Sequence, residues 1–79
     1  MQKPSLARAV LVGVQPEENN GSDVAPATIV RVWNDTMVNV KVHLDGPGDK
    51  WKTSVKLCKT EEDGREHGIL NACWWPPRV

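Results

Sequence analysis

The most regular stretch of the chain is "MVNVKVHLDG", residues 37–46, where Val38, Val40, Val42 and Leu44 alternate without interruption with Met37, Asn39, Lys41 and His43. Alternation of period two sends one set of side chains to each face of an extended strand, so this segment predicts a half-buried antiparallel strand. Just upstream, "ATIVRVW" is rich in β-branched residues and runs into the turn formers Asn34 and Asp35, which makes residues 27–44 a hairpin. Downstream, "DGPGDK" is a dense turn signal, and "WKTSVKL" resumes alternation with Trp51, Thr53, Val55 and Leu57 on one side. Near the start, "ARAVLVGV" places Val10, Val12 and Val14 on one face before the polar loop "QPEENNGSDVAP". The polar stretch "KTEEDGREHG" carries a central Gly and no amphipathic stripe, so it reads as a loop with short helical turns at most, closed by the apolar "ILNAC".

About five short strands follow, three of them contiguous as a meander. With no helix to cover it, so small a sheet must curl and close on itself. The expected fold is all-β, a small five-stranded barrel built on an antiparallel meander, with residues 1–79 forming one domain. At the end, "WWPPRV" carries two prolines that stiffen the backbone and cannot donate to a ladder, so residues 74–79 are expected to form a C-terminal arm.

Composition narrows the function classes. Ten basic and ten acidic residues cancel to a formal net charge of zero, unlike the positive field of a duplex-binding domain, so any phosphate contact must be local. No apolar run approaches the roughly 20 residues of a membrane span, and the N-terminus lacks a cleavage pattern, so a cytoplasmic protein with no membrane partner is expected. Cys58 and Cys73, with His43 and His67, match no metal-ligand spacing, and neither cofactor nor metal is expected. A disulfide between the cysteines would close a loop of about 14 residues and contribute roughly 3 kcal/mol. With no mark of secretion, two reduced and buried thiols are the expectation. None of these groups sits in a nucleophile turn, so the protein is not expected to be an enzyme.

The succession "VLVGV…APATIVRVW…MVNVKVHLDG…WKTSVKL" resembles small SH3-like barrels of the Tudor and chromo-related kind over residues 7–57. The string V-W-x-D-T-x-V-N-x-x-V, then D-G, W-x-T-S-V and W-P-P-R, also resembles short uncharacterised proteins of tailed bacteriophages and prophages. It is carried by Val32 to Val42, Asp45, Gly46, Trp51 to Val55 and Trp75 to Arg78. That resemblance implies a phage source and a setting in the host cytoplasm, but no settled activity.

The chain has four Trp and no Phe or Tyr, so its aromatic chemistry is concentrated in few places. Arg31, Trp33, Asn39, Lys41, His43 and Trp51 can share an outward face, and Trp75 and Arg78 can join them from the tail, as a ligand-binding patch that stacks a base and meets a phosphate. Against this stands a plain solvated strand face, with Trp33 and Trp51 plugging the barrel ends and Asp35, Thr36, Thr53 and Ser54 satisfying turn backbone. Alternation through "ILNACWWP" turns at least one of Trp74 and Trp75 away from the core, and an outward Trp beside Arg78 implies either a ligand wall or a subunit contact, the latter giving a homo-oligomer formed through the tail.

The expected function is a non-catalytic phage-encoded binding module, a counter-defence protein that sequesters a host nucleotide signal between subunits or blocks a host defence protein. One alternative is a nucleic-acid-binding accessory protein using Arg31, Lys41, Lys50, Lys52 and Lys56, with Lys52 and Lys56 on the outward face. The other is a minor virion structural protein.

Overall fold

The computed structural model of the chain describes residues 3–46 and 48–76. Five strands, β1 (Ala9–Gly13), β2 (Val24–Asn34), β3 (Met37–His43), β4 (Asp49–Cys58) and β5 (Ala72–Trp74), close into one barrel in the order β1-β2-β3-β4-β5. The first three contacts, β1–β2, β2–β3 and β3–β4, are antiparallel. β5 closes the ring, antiparallel to β1 and parallel to β4. The small all-β barrel expected from the alternation is therefore the observed fold.

Its interior is filled by residues that the alternation groups on one face, Val10, Val12 and Val14 from β1 and its exit, Val38, Val40 and Val42 from β3, and Val55 and Leu57 from β4, joined by Ala25, Ala27, Ile29 and Cys73 from β2 and β5. Most of these side chains are short and branched, which suits a narrow barrel, and each fully buried Val, Leu or Ile contributes on the order of 1.5–3 kcal/mol.

Strand β2 begins at Val24, so Ala25 and Pro26, expected in the loop, are strand residues. Pro26 pairs with Leu11 of β1, whereas pairing with β3 starts only at Ala27. The missing N–H of the proline thus falls beyond the end of β3, where no ladder bond is lost. The remaining loop is pinned by Asn19, which is buried: its Nδ2 donates to the carbonyls of Ser22 and Val24, each at 3.0 Å, and its Oδ1 accepts from the Asp45 N–H at 2.7 Å.

The loop expected over residues 59–68 holds a seven-residue helix, α1 (Glu61–His67), a correction to the reading that denied a helix here. Thr60 caps it by accepting from the Asp63 N–H at 3.2 Å, and Arg65 reaches back one turn to Glu61 and across to Asp23, at 2.8 and 3.0 Å. Pairing with Arg65 lowers the Asp23 carboxyl and raises the guanidinium. Gly64, the residue that argued against a helix, is what lets α1 sit on the barrel. A Cβ built there would lie 2.6 Å from Cε3 of Trp74.

Strand β5 is buried on both sides for this reason. Cys73 faces the barrel interior, while Cys58, Ala72 and Trp74 form a second apolar cluster outside the wall, joined by Leu11, Val24 and Ile69. Trp74 is therefore the last residue of a closing strand and not the first residue of an arm. The rest of the expected arm, apart from Trp75 and Pro76, lies outside the described residues.

Replacing Gly64 with Ala should raise intrinsic helix propensity by about 1 kcal/mol yet lower the stability of the protein, because the added methyl displaces the Trp74 ring. Urea denaturation checks the sign; a more stable Gly64→Ala protein would show that the ring yields freely.

Candidate functional site: an aromatic and cationic face

The outer face of β2–β3–β4 is shaped by three irregularities in register. Between Val38↔Val55 and Val40↔Lys52, two β4 residues, Thr53 and Ser54, oppose the single residue Asn39. Ser54 takes φ of 55°, the left-handed conformation of a bulged position. One extra residue reverses the alternation of everything before it in the strand. Val55 and Leu57 point inward as expected, but Trp51, expected on their side, is turned out to solvent. Register also shifts on β2 between Ile29 and Arg31 and between Val32 and Asn34, leaving Val30 and Trp33 as extra residues.

Neither Trp33 nor Trp51 therefore plugs the barrel. They are 48% and 59% exposed, which corrects the reading of both as core caps. Asn39, expected as an outward ligand contact, is instead buried beneath this face. Its Oδ1 accepts from Trp33 Nε1 at 2.8 Å, from the Ser54 N–H at 2.8 Å and from Thr53 Oγ1 at 3.0 Å. With three donors on one oxygen, Asn39 holds the indole and the bulge in place and has no acceptor capacity for a ligand.

The Arg31 guanidinium lies over the Trp33 ring, 4.0 Å from its centroid. Lys41, one outward position along β3 from Asn39, pairs with Trp51 on one side and Thr28 on the other. His43 follows, its Nε2 3.0 Å from Thr28 Oγ1 and its Nδ1 3.9 Å from Asp49. The structure thus brings Arg31, Trp33, Lys41, His43 and Trp51 onto one open face, together with the exposed side chains of Val30 and Met37, which the sequence reading did not single out. The outward placement of Trp51, and of the extra residues Val30 and Trp33, depends on register irregularities that no composition signal marks.

Two expected members are elsewhere. Trp75 follows β5, on the side of the barrel between β1 and β4, where it packs against the core and lies 5.5 Å beneath the Arg8 guanidinium. Arg78 lies outside the described residues.

The lysine row of the nucleic-acid reading is also broken. Lys50 and Lys52 share the reversed phase and turn away from the outer face: Lys50 Nζ binds Glu18 Oε1 at 2.9 Å, and Lys52 Nζ donates to the carbonyls of Gly13 and Leu70 at 2.7 and 2.8 Å. Lys52, expected outward, is half-buried, and that burial lowers its pKa. Of the five cations in that reading, Arg31, Lys41 and Lys56 remain exposed.

Both cysteines are free and buried. Consecutive strand positions point to opposite faces, so the Leu57↔Cys73 and Cys58↔Trp74 pairings place Cys73 inside the barrel and Cys58 outside it. A disulfide would have to pass through the wall. Burial pushes both thiols up, Cys73 to about 12, which leaves little thiolate for nucleophilic chemistry. A shallow cleft of about 550 Å³ opens beside Cys58, between the end of β4 and α1, with Lys56, Lys59, Glu66 and His67 on its rim. Among the described residues no group of three or more His, Cys, Asp or Glu side chains could hold a metal ion, and no helix is long and apolar enough to cross a membrane.

No family model, curated protein or solved structure matches the chain.

Asn39→Ala should lower stability by roughly 1–3 kcal/mol by stranding the Ser54 N–H, and should release the Trp33 indole. Asn39→Asp, which keeps the acceptor, should lose less; equal urea midpoints for the two variants would contradict this assignment. Cys73 provides a pH test. Its raised folded pKa means that the unfolded chain loses the thiol proton first, so stability falls as pH rises from the ordinary 9.0 toward about 12, by up to about 1.4 kcal/mol per pH unit. Comparing Cys73→Ala with the parent protein across that range should remove this component of the slope.

Proposed function

We propose that the protein is a non-catalytic binding module whose contact surface is the outer face of β2–β3–β4, and that its ligand is nucleotide-like. The observation that carries this reading is the pair of exposed indoles on one face, Trp33 and Trp51, with Arg31 stacked on one and Lys41 paired beside the other. Exposed aromatic rings on a rigid sheet stack bases with little entropy cost, and a neighbouring guanidinium or ammonium meets the phosphate. The Asn39 bond holds the Trp33 indole before any ligand arrives. His43, hydrogen-bonded to Thr28, extends the polar edge of the same face.

An open face encloses a small ligand poorly on its own. A second copy of the chain, packed over Val30, Trp33 and Met37, would supply the opposite wall, so a homo-oligomer belongs to this proposal. The contact would run through this face and not through Trp74, which is sealed in its own subunit. In the host cytoplasm implied by the likeness to phage proteins, such a module would withhold a nucleotide signal from its receptor or cover a host defence protein. The raised pKa of both buried thiols supports a role without covalent chemistry.

The pairing of Lys50 with Glu18 and of Lys52 with backbone carbonyls, both away from the outer face, favours a short ligand over a long polyanion. Three remaining cations limit the salt dependence of single-strand binding to a log–log slope of about −2, at about −0.7 per phosphate.

Tryptophan fluorescence titration with nucleoside mono- and dinucleotides tests this reading. Trp33→Ala and Trp51→Ala should each weaken binding about fivefold to a hundredfold, the cost of one stacked base. Unchanged affinity in both variants overturns the proposal, and a slope much steeper than −2 with single-stranded DNA transfers it to the nucleic-acid reading. Light scattering across protein concentrations tests the oligomer separately.

A further inference from the structure

On the opposite side of the barrel, a hollow of about 240 Å³ lies between the end of β5 and the start of α1, lined by Lys59, Thr60, Glu61, Trp74, Trp75 and Pro76. We propose that this hollow is a second binding site, independent of the outer face of β2–β3–β4, and that it takes a small apolar carboxylate.

Two buried donors without acceptors carry the argument. Nε1 of Trp74 and Nε1 of Trp75 are both shielded from solvent, and neither has a hydrogen-bond partner among the described residues. Trp74 as a whole is 1% exposed. A buried N–H left unpaired costs roughly 1–3 kcal/mol, and nearly all buried polar groups in folded proteins are paired. Here two such donors belong to adjacent residues that line one cavity. The ring of Trp74 cannot turn freely to find a partner. Its Cε3 and Cζ3 edge is pressed on Gly64, so its N–H edge lies on the far side of the ring from that contact.

The surroundings specify the ligand class. Two N–H donors call for acceptor oxygens, and the indoles and Pro76 call for an apolar body. Charge at the rim favours an anion: the Glu61 carboxylate is engaged by Arg65 Nε at 2.8 Å, whereas Lys59, also on the rim and exposed, forms no ion pair among the described residues. The volume falls below the roughly 300–1,000 Å³ of sites for drug-sized ligands. A carboxylate on a single ring or a short alkyl chain fits that scale, and a nucleotide does not.

Proton–nitrogen correlation spectra of the full chain resolve one signal for each of the four indole N–H groups, and phenylacetate is a suitable probe. Its addition should shift the Trp74 and Trp75 signals saturably while those of Trp33 and Trp51 stay in place. Phenylethanol, which lacks the carboxylate, should bind about tenfold more weakly. Lys59→Met, at an exposed position, should weaken phenylacetate about threefold, and Trp75→Phe about tenfold. If Trp75→Phe fails to fold, the Lys59 variant and the phenylethanol comparison still decide. The proposal is overturned by equal binding of phenylacetate and phenylethanol, or by no saturable shift with phenylacetate. It is also overturned if removing residues 77–79 moves the same two signals in ligand-free protein, since the chain's own end would then be their partner.

Discussion

The architecture depends on the insertion of three residues, Ala72, Cys73 and Trp74, between β1 and β4. A meander of four strands has two unpaired edges, and a sheet of this size cannot leave them open without exposing both its ladder groups and its core. β5 satisfies both edges at once. Its middle residue completes the barrel core, and the residues on either side anchor the cluster under α1. Parallel pairing with β4 requires the chain to travel back along the barrel before it enters β5. α1 and the 3₁₀ turn at Ile69–Asn71 provide that return path, so the helix is both a connection and the cover for Trp74.

This division of labour leaves the far side of the barrel free. Among the described residues nothing covers Trp33 and Trp51 on the outer face of β2–β3–β4, and the register irregularities there convert a plain alternating face into one with two solvent-facing indoles. The same bulge on β4 that turns Trp51 outward turns Lys50 and Lys52 toward Glu18 and the carbonyls of the neighbouring segments. One inserted residue thus adds an aromatic ring to the outer face and turns two cations away from it. That exchange moves the chemistry of the face from polyelectrolyte binding toward stacking.

The two aromatic regions differ in how they are satisfied. Trp33 has its N–H bonded and its ring exposed, while Trp74 has its ring enclosed and its N–H without an acceptor among the described residues. An indole of the first kind offers a flat surface at little entropic cost, and one of the second kind offers a directed hydrogen bond in an apolar setting. The first suits a planar ring laid on the sheet, the second an oxygen brought into a hollow.

Much of the fold was legible in the sequence, because Val10, Val12, Val14, Val38, Val40 and Val42 alternate and burial is the dominant local signal for a strand. The site was legible in part: Arg31, Trp33, Lys41, His43 and Trp51 share a face as expected, but Asn39 lies beneath it and Trp75 lies elsewhere. What the alternation determined by itself was the number of strands, the hairpin and the inward valines, since those depend only on which neighbours are apolar. Only the tertiary structure decided the orientation of Trp51, the burial of Asn39 and the helix across Gly64. Each rests on a contact between residues distant in the chain: Asn39 with Ser54 across a bulge, and Gly64 with the ring of Trp74. A one-residue bulge leaves the composition of a strand unchanged while reversing its faces, so local pattern carries no trace of it.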